Sequence, residues 1–446
     1  MVNNDIVFTG IGVISSLGIG QENFLANLRK AKAGIKRITS FDTSSLGSNI
    51  AGWIEDFDPR QFMSPGIYRR MGRISRMAVA ASIEAVNDSD LTLDTLDSER
   101  IAVIMGTAYG SSSHVEEFYL SLLENGPRGA QPFLFPETVP NAPASHIAMF
   151  HGITGPNTTF SQNEISAENA ILYARDLLLQ NVVDVVLVGG ADELSPVLFM
   201  CYDALGALNR IKVGADQPVK PEPGRGLVLG EGAGILIMER RDFAVKRGAR
   251  IYGTLRSGIL TGGVTSTGHY EVEGDQMCRA MSLTIEQAGI DSDTIDQIHV
   301  SSNFSGELDR MECDRLERAF GVNTASLRVI PLKYLMGDFG GAGTTRAAAI
   351  LLSLHYQLPL PTVGVEMLKA GSQHSIEWEI CPGRKLQFAL MTTSTFGGGS
   401  CSLVFAQDGL KKMNIEHRTS NVQHRILNGK KGDTEMVNTY SPCTSN

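Results

Sequence analysis

Residues Gly155–Ile171 read GPNTTFSQNEISAENAI, and the fold follows from what this stretch contains and what flanks it. Ser161-Gln162-Asn163-Glu164 has the Ser-x-x-Glu spacing of a capping box, whose two side chains satisfy orphan backbone donors at a helix start. Apolar residues then recur at Ala167, Ala170, Ile171, Ala174, Leu177 and Leu178, the spacing of one buried helix face. Upstream, ERIAVIMGTAYGS from Glu99 reads as a buried strand ending in a Gly-rich loop. Downstream, NVVDVVLVGGADE from Asn181 is a β-branched run of the kind buried on both faces of a sheet. DIVFTGIGVIS, near the N-terminus, reads as a strand leading into a turn. Strands alternating with helices predict an α/β fold.

The chain also repeats itself at long range. GEGAGILIMERR from Gly230 and FGGGSCSLVFAQ from Phe396 are both Gly-rich turns running into apolar strands. IDQIHVSSNFSG from Ile295 opens from a short strand onto a small-residue loop, as does the stretch ending at Gly110. Self-similarity of this kind implies duplicated halves. Beyond Phe405 the sequence turns polar and loses its periodicity, the mark of an irregular tail.

At 446 residues, 42% hydrophobic and 20% charged, the chain can bury a full core. No apolar run approaches the ~20 residues of a membrane span, and the N-terminus lacks the pattern of a signal peptide. A net charge of −9 argues against nucleic acid as the main partner. Cys201, Cys278, Cys313, Cys381, Cys401 and Cys443 are scattered without metal-ligand spacing, which suggests reduced thiols in a cytoplasm. No cofactor or metal is expected.

Five motifs, in order, carry a resemblance to the β-ketoacyl synthases of the thiolase superfamily. They are TGIGVISSLG from Thr9, the Gly155–Ile171 stretch, LGEGAGILIMERRDFAVKRGARIYG from Leu229, LKYLMGDFGGAG from Leu332 and STFGGGSCSLVF from Ser394. The similarity runs from about residue 5 to 405. It implies a thiolase-like fold, two related halves in a five-layered αβαβα arrangement, divided here as 1–254, 255–411 and a polar tail over 412–446.

The resemblance also implies where chemistry should be, and the residues there differ. The family's nucleophilic cysteine falls on Glu164, and its two histidines fall on Ser301 and Asp338. His299 stands two residues before the first of these. Lys333, Asp309 and Glu312 match retained scaffold positions. A carboxylate cannot hold an acyl chain as a usable thioester, so no catalytic residue is expected. For Glu164 three readings stand: a helix cap, an ion pair with Lys333, or a proton shared with Asp338. As the family's cysteine sits at a helix N-terminus, the same field would hold a glutamate ionised.

A ketosynthase fold without its reactive groups resembles the chain length factor of type II polyketide and aryl-polyene systems. That resemblance implies pairing with an active ketosynthase in a heterodimer and control of acyl chain length on an acyl carrier protein. It places Tyr109, Leu134 and Phe135 along the tunnel or interface, ordinary packing being the alternative. YRRMGRISRM from Tyr68 sets Arg69, Arg70, Arg73 and Arg76 within two helical turns. Arg69 and Arg70 match positions that meet the acidic carrier; a solvated helix face is the alternative. The rival function is a stand-alone enzyme of acyl thioesters using Glu164 and Asp338.

Overall fold

The computed structural model describes residues 5–266, 268–320, 328–362 and 385–410; the expected tail over 412–446 lies outside them. The main strands are β1 (Ile6–Ser15), β2 (Ile101–Gly106), β3 (Asn157–Phe160), β4 (Val185–Asp192) and β5 (Gly232–Arg240) in the first half. In the second they are β6 (Gly253–Gly262), β7 (Gln297–His299), β8 (Arg328–Ile330), β9 (Phe388–Ser394) and β10 (Gly399–Ala406). Their order across the sheet is β8-β7-β9-β10-β6-β1-β5-β4-β2-β3.

Reading each half from its outer edge gives one pattern twice: third strand, second, fourth, fifth, first. The directions repeat too. β2 runs parallel to β3 and β4, as β7 does to β8 and β9. β5 is antiparallel to β4 and β1, as β10 is to β9 and β6. The two Gly-rich sequence repeats are thus the fifth strands of their halves, β5 and β10. The other matching pair belongs to the second strands, β2 and β7. The halves join where β1 pairs antiparallel with β6, Phe8 opposite Gly253 and Ile6 opposite Leu255.

Helices complete five layers. Arg73–Asp88 packs on the outer face of β1 and β5, and Asp275–Ala288 on that of β6 and β10. Between the half-sheets lie Ser166–Leu179 and Ala342–Tyr356, which touch each other. In the latter every residue from Ala342 to Leu354 is buried. Such a helix needs small residues, because backbone approaches backbone from several sides: a Cβ at Gly190 of β4 would lie 2.4 Å from the Gly341 carbonyl oxygen.

The central layer also holds a charge. Arg346, fully buried, donates to the carbonyls of His299 (2.8 Å) and Thr392 (2.7 Å) and to Thr393 Oγ1 (2.7 Å). It lies 3.4 Å from Glu168 on the neighbouring helix. One side chain therefore ties a strand end and a strand of the second half to a helix of the first.

Candidate functional site

Glu164 does not cap a helix. A short 3₁₀ turn, Asn163–Ile165, precedes the helix and moves its start to Ser166, so Ser161 is too far away to serve. Ser161 Oγ donates instead to the Ala108 carbonyl at 3.0 Å. Ser166 organises the entry: its Oγ accepts from Gln162 N (2.8 Å) and donates to the Asn163 carbonyl (2.7 Å). The glutamate is left free to turn inward.

It turns into a buried polar chain. Glu164, 8% exposed, accepts from the Tyr270 hydroxyl at 3.0 Å and from Thr395 Oγ1. Asn303 Nδ2 donates to the Tyr270 oxygen (3.3 Å) and to Asp338 Oδ2 (2.6 Å). Lys333 Nζ lies 2.6 Å from Asp338 Oδ1 and donates to Ser301 Oγ at 3.2 Å. Lysine therefore pairs with Asp338, not with Glu164. The two carboxyl groups communicate through Tyr270 and Asn303, without a direct hydrogen bond between them. Of the three readings of Glu164, the helix cap and the lysine pair are corrected, and in place of a directly shared proton a bridge of neutral hydrogen-bond donors joins the two carboxyls.

Burial works against the ionised form that the helix start was expected to favour. Burial pushes the Glu164 carboxyl up, and the Asp338 charge adds to it; Lys333 and the Thr395 hydrogen bond oppose them and lose. Tyr270 and Thr395 each engage one of the carboxyl oxygens.

Behind this chain, Asp309 and Glu312 brace the loop after β7. Asp309 accepts from Asn303 N (3.0 Å) and the Tyr334 hydroxyl (2.6 Å), and burial pushes it up to about 7. Glu312 accepts from Ser301 N (2.8 Å) and Ser302 Oγ (2.6 Å), and burial raises it too. The His299 ring is fully buried, neither nitrogen has a hydrogen-bond partner among the described residues, and burial pushes it well below its usual value. It takes no part in the chain. An ion-paired lysine that donates to Ser301 positions that hydroxyl and cannot act as its base.

Tyr109 lies on the Gly-rich loop after β2, beside this chamber. Buried Asp192 clamps the loop, accepting from Thr107 Oγ1 (2.6 Å), Ala108 N (3.0 Å) and Tyr109 N (3.1 Å), and from Gly341 N (2.8 Å). The half-exposed Tyr109 phenol is hydrogen-bonded to the Tyr202 hydroxyl, and burial pushes it up to about 12. Asp192, Tyr202, Tyr270, Asn303, Thr395 and Arg346 were not singled out from the sequence.

The remaining candidates are split between core and surface. Leu134 is buried, whereas Phe135 is 60% exposed and leans on Phe118, ring centroids 5.9 Å apart. The four arginines do not share a helix. Pro65–Tyr68 stops short, and a new helix begins at Arg73 after an extended Gly72. Arg73 turns inward to Glu231 at 2.6 Å, and Arg76 lies against Tyr68. Only Arg69 and Arg70 stay on the surface, where with Phe133, Phe135, Val139 and Met149 they line a pocket of about 810 Å³.

Comparison with known proteins identifies the family. The model of the β-ketoacyl synthase N-terminal domain matches residues 3–244, and that of the C-terminal domain matches 252–366. This chain belongs to the β-ketoacyl synthase family. Among relatives, a 3-oxoacyl-[acyl-carrier-protein] synthase 2 of Vibrio cholerae is 28% identical over 91% of this chain and 99% of its own. A putative polyketide β-ketoacyl synthase 1 of Streptomyces halstedii is 29% identical over 90% and 97%. Of solved structures, the ishigamide ketosynthase/chain length factor superposes with a TM-score of 0.80 and 27% identity, covering 91% of this chain and all of that one. Among the described residues, no helix is long and apolar enough to cross a membrane.

Proposed function

We propose that this chain is a non-catalytic ketosynthase-like subunit, a chain length factor, that pairs with an active β-ketoacyl synthase. In that pair it shapes the acyl tunnel and so limits chain growth on an acyl carrier protein. The observation that carries the reading is the state of Glu164. Where the motif resemblance puts the attacking thiol, a buried carboxyl group is engaged on both oxygens, by Tyr270 and Thr395. The two aligned histidine positions hold Ser301 and an Asp338 neutralised by Lys333, and neither supplies the imidazole donor that condensation needs. Losing one general acid or base costs about 10²–10⁴ in rate, and here three groups are absent together. Relatives named as synthases share the fold; their names do not extend to these positions.

Exposed apolar side chains support pairing. The helix Ser112–Asn125 buries only Ser121, leaving Tyr119, Leu120 and Leu123 exposed beside Phe133, Phe135 and Met149. Large exposed apolar side chains of this kind favour association. Among the described residues, β3 has β2 as its one neighbour in the sheet, which makes it an edge strand. The rival reading, independent acyl-thioester chemistry by Glu164 and Asp338, is disfavoured because both carboxyls are held by buried partners.

Co-expression with a ketosynthase from the same genome that keeps the cysteine and both histidines tests the proposal. The two should co-purify, elongation should require both, and the lone chain should neither become acylated nor extend an acyl group. Within the pair, Tyr109→Ala should lengthen the product and Tyr109→Trp shorten it. Failure to associate, or turnover by the lone chain, refutes the reading.

A further inference from the structure

We infer that Tyr202 is a second specificity-determining residue, whose hydroxyl holds Tyr109 in place so that the size limit belongs to the pair. The inference rests on the reading of Tyr109 as a gate. Tyr202 sits near the end of the helix Pro196–Ala204, 93 residues along the chain from Tyr109. The rings meet edge-on, centroids 6.2 Å apart and planes at 87°, and the hydroxyls bond to each other. Among the described residues neither hydroxyl has another hydrogen-bond partner.

The backbones beneath the two rings are already fixed. Asp192 clamps the Tyr109 loop through three donors on residues 107–109. The loop's Gly110, at φ +63, is packed so closely on Pro140 that a Cβ there would lie 2.9 Å from its Cα. The Tyr202 helix is capped by Ser195 Oγ, which accepts from Leu198 N at 3.3 Å, and anchored by fully buried Phe199. What remains free is rotation of two partly exposed phenol rings, and an exposed side chain samples several rotamers. The hydroxyl bridge removes that freedom. A lone Tyr109 could swing aside for a longer chain; a bridged one cannot without breaking the bond. The pair also lies near the buried chamber: Glu164 and Asp338 each disfavour ionisation of both phenols.

The test removes the bond and keeps the volume. In the reconstituted pair, Tyr202→Phe should raise the ratio of longer to shorter product about fivefold, the size of one net hydrogen bond. Tyr109→Phe should do the same, and the double variant should add nothing further. If Tyr109→Ala lengthens the product while Tyr202→Phe leaves it unchanged, the inference falls and the gate stands. If neither Tyr109→Ala nor Tyr109→Trp alters product length, the gate reading falls and takes the inference with it. A measurement without a partner is decisive as well: a crystal structure of Tyr202→Phe in which Tyr109 keeps a single, unmoved rotamer overturns it.

Discussion

Replacing Lys333 with methionine should destabilise the fold by about 3–5 kcal/mol, the usual cost of breaking a buried ion pair from one side. Lys333 and Asp338 are almost wholly buried, with Nζ 2.6 Å from Oδ1. Methionine replaces the lysine stem with similar apolar volume, so cavity formation adds little. What changes is that, among the described residues, the Asp338 carboxylate keeps Asn303 Nδ2 as its one side-chain donor. Ser301 Oγ loses its lysine donor at the same time. Glu164 should be pushed higher still, because Lys333 is one of the groups restraining it. The assay is equilibrium urea unfolding followed by two probes, since coincident transitions are the condition for reading a single free energy. Adding Asp338→Asn to Lys333→Met removes the stranded charge and should recover most of the loss. A loss below about 1 kcal/mol in Lys333→Met, the level of an exposed pair, would refute the account of this polar chain as buried and interlocked.

Two further perturbations follow from buried carboxyls. Because the folded protein holds Glu164 above its ordinary value of 4.5, stability is full below that pH and falls as pH rises through the raised value. Glu164→Gln should therefore match wild type in acid and surpass it progressively above about pH 4.5; urea midpoints across pH check the sign, and a pH-independent gap would contradict it. Glu137 behaves in the opposite sense: burial alone would raise it, but His146, Gly72 N–H and the Ser75 hydroxyl together hold it below 4.5. Glu137→Ala should cost about 2–3 kcal/mol at neutral pH, part of it the orphaned Gly72 donor, and the gap between the two midpoints should narrow, without closing, as pH drops below about 4 and the carboxylate's charge is lost.

The long-range repeat was legible because each copy advertises itself locally, a Gly-rich turn followed by a β-branched run, and those signals landed on equivalent strands. The helix after Glu164 was legible for the same reason, its apolar spacing. The capping box failed because Ser-x-x-Glu is scored within four residues, whereas Glu164 answers to Tyr270 and Thr395, 106 and 231 positions away. Single residues in loops, such as Tyr270, Asn303 and Thr395, carry no periodic mark, and only folding reveals that they converge. The arginine run did contain its own warning. Gly72 interrupts the pattern, and a glycine there signals a break that turns Arg73 toward Glu231.

Arg346 has a consequence for how the chain could have arisen and how it can be cut. Its guanidinium is satisfied on one side by carbonyls and a threonine near the ends of β7 and β9, and on the other by a glutamate from the opposite copy. Split the polypeptide after β5, and each fragment would carry half of an unmatched electrostatic joint across a large bare apolar slab. Two ancestral copies held together in this way form a weld, and evolution can vary one copy's reactive residues freely only so long as the weld is kept.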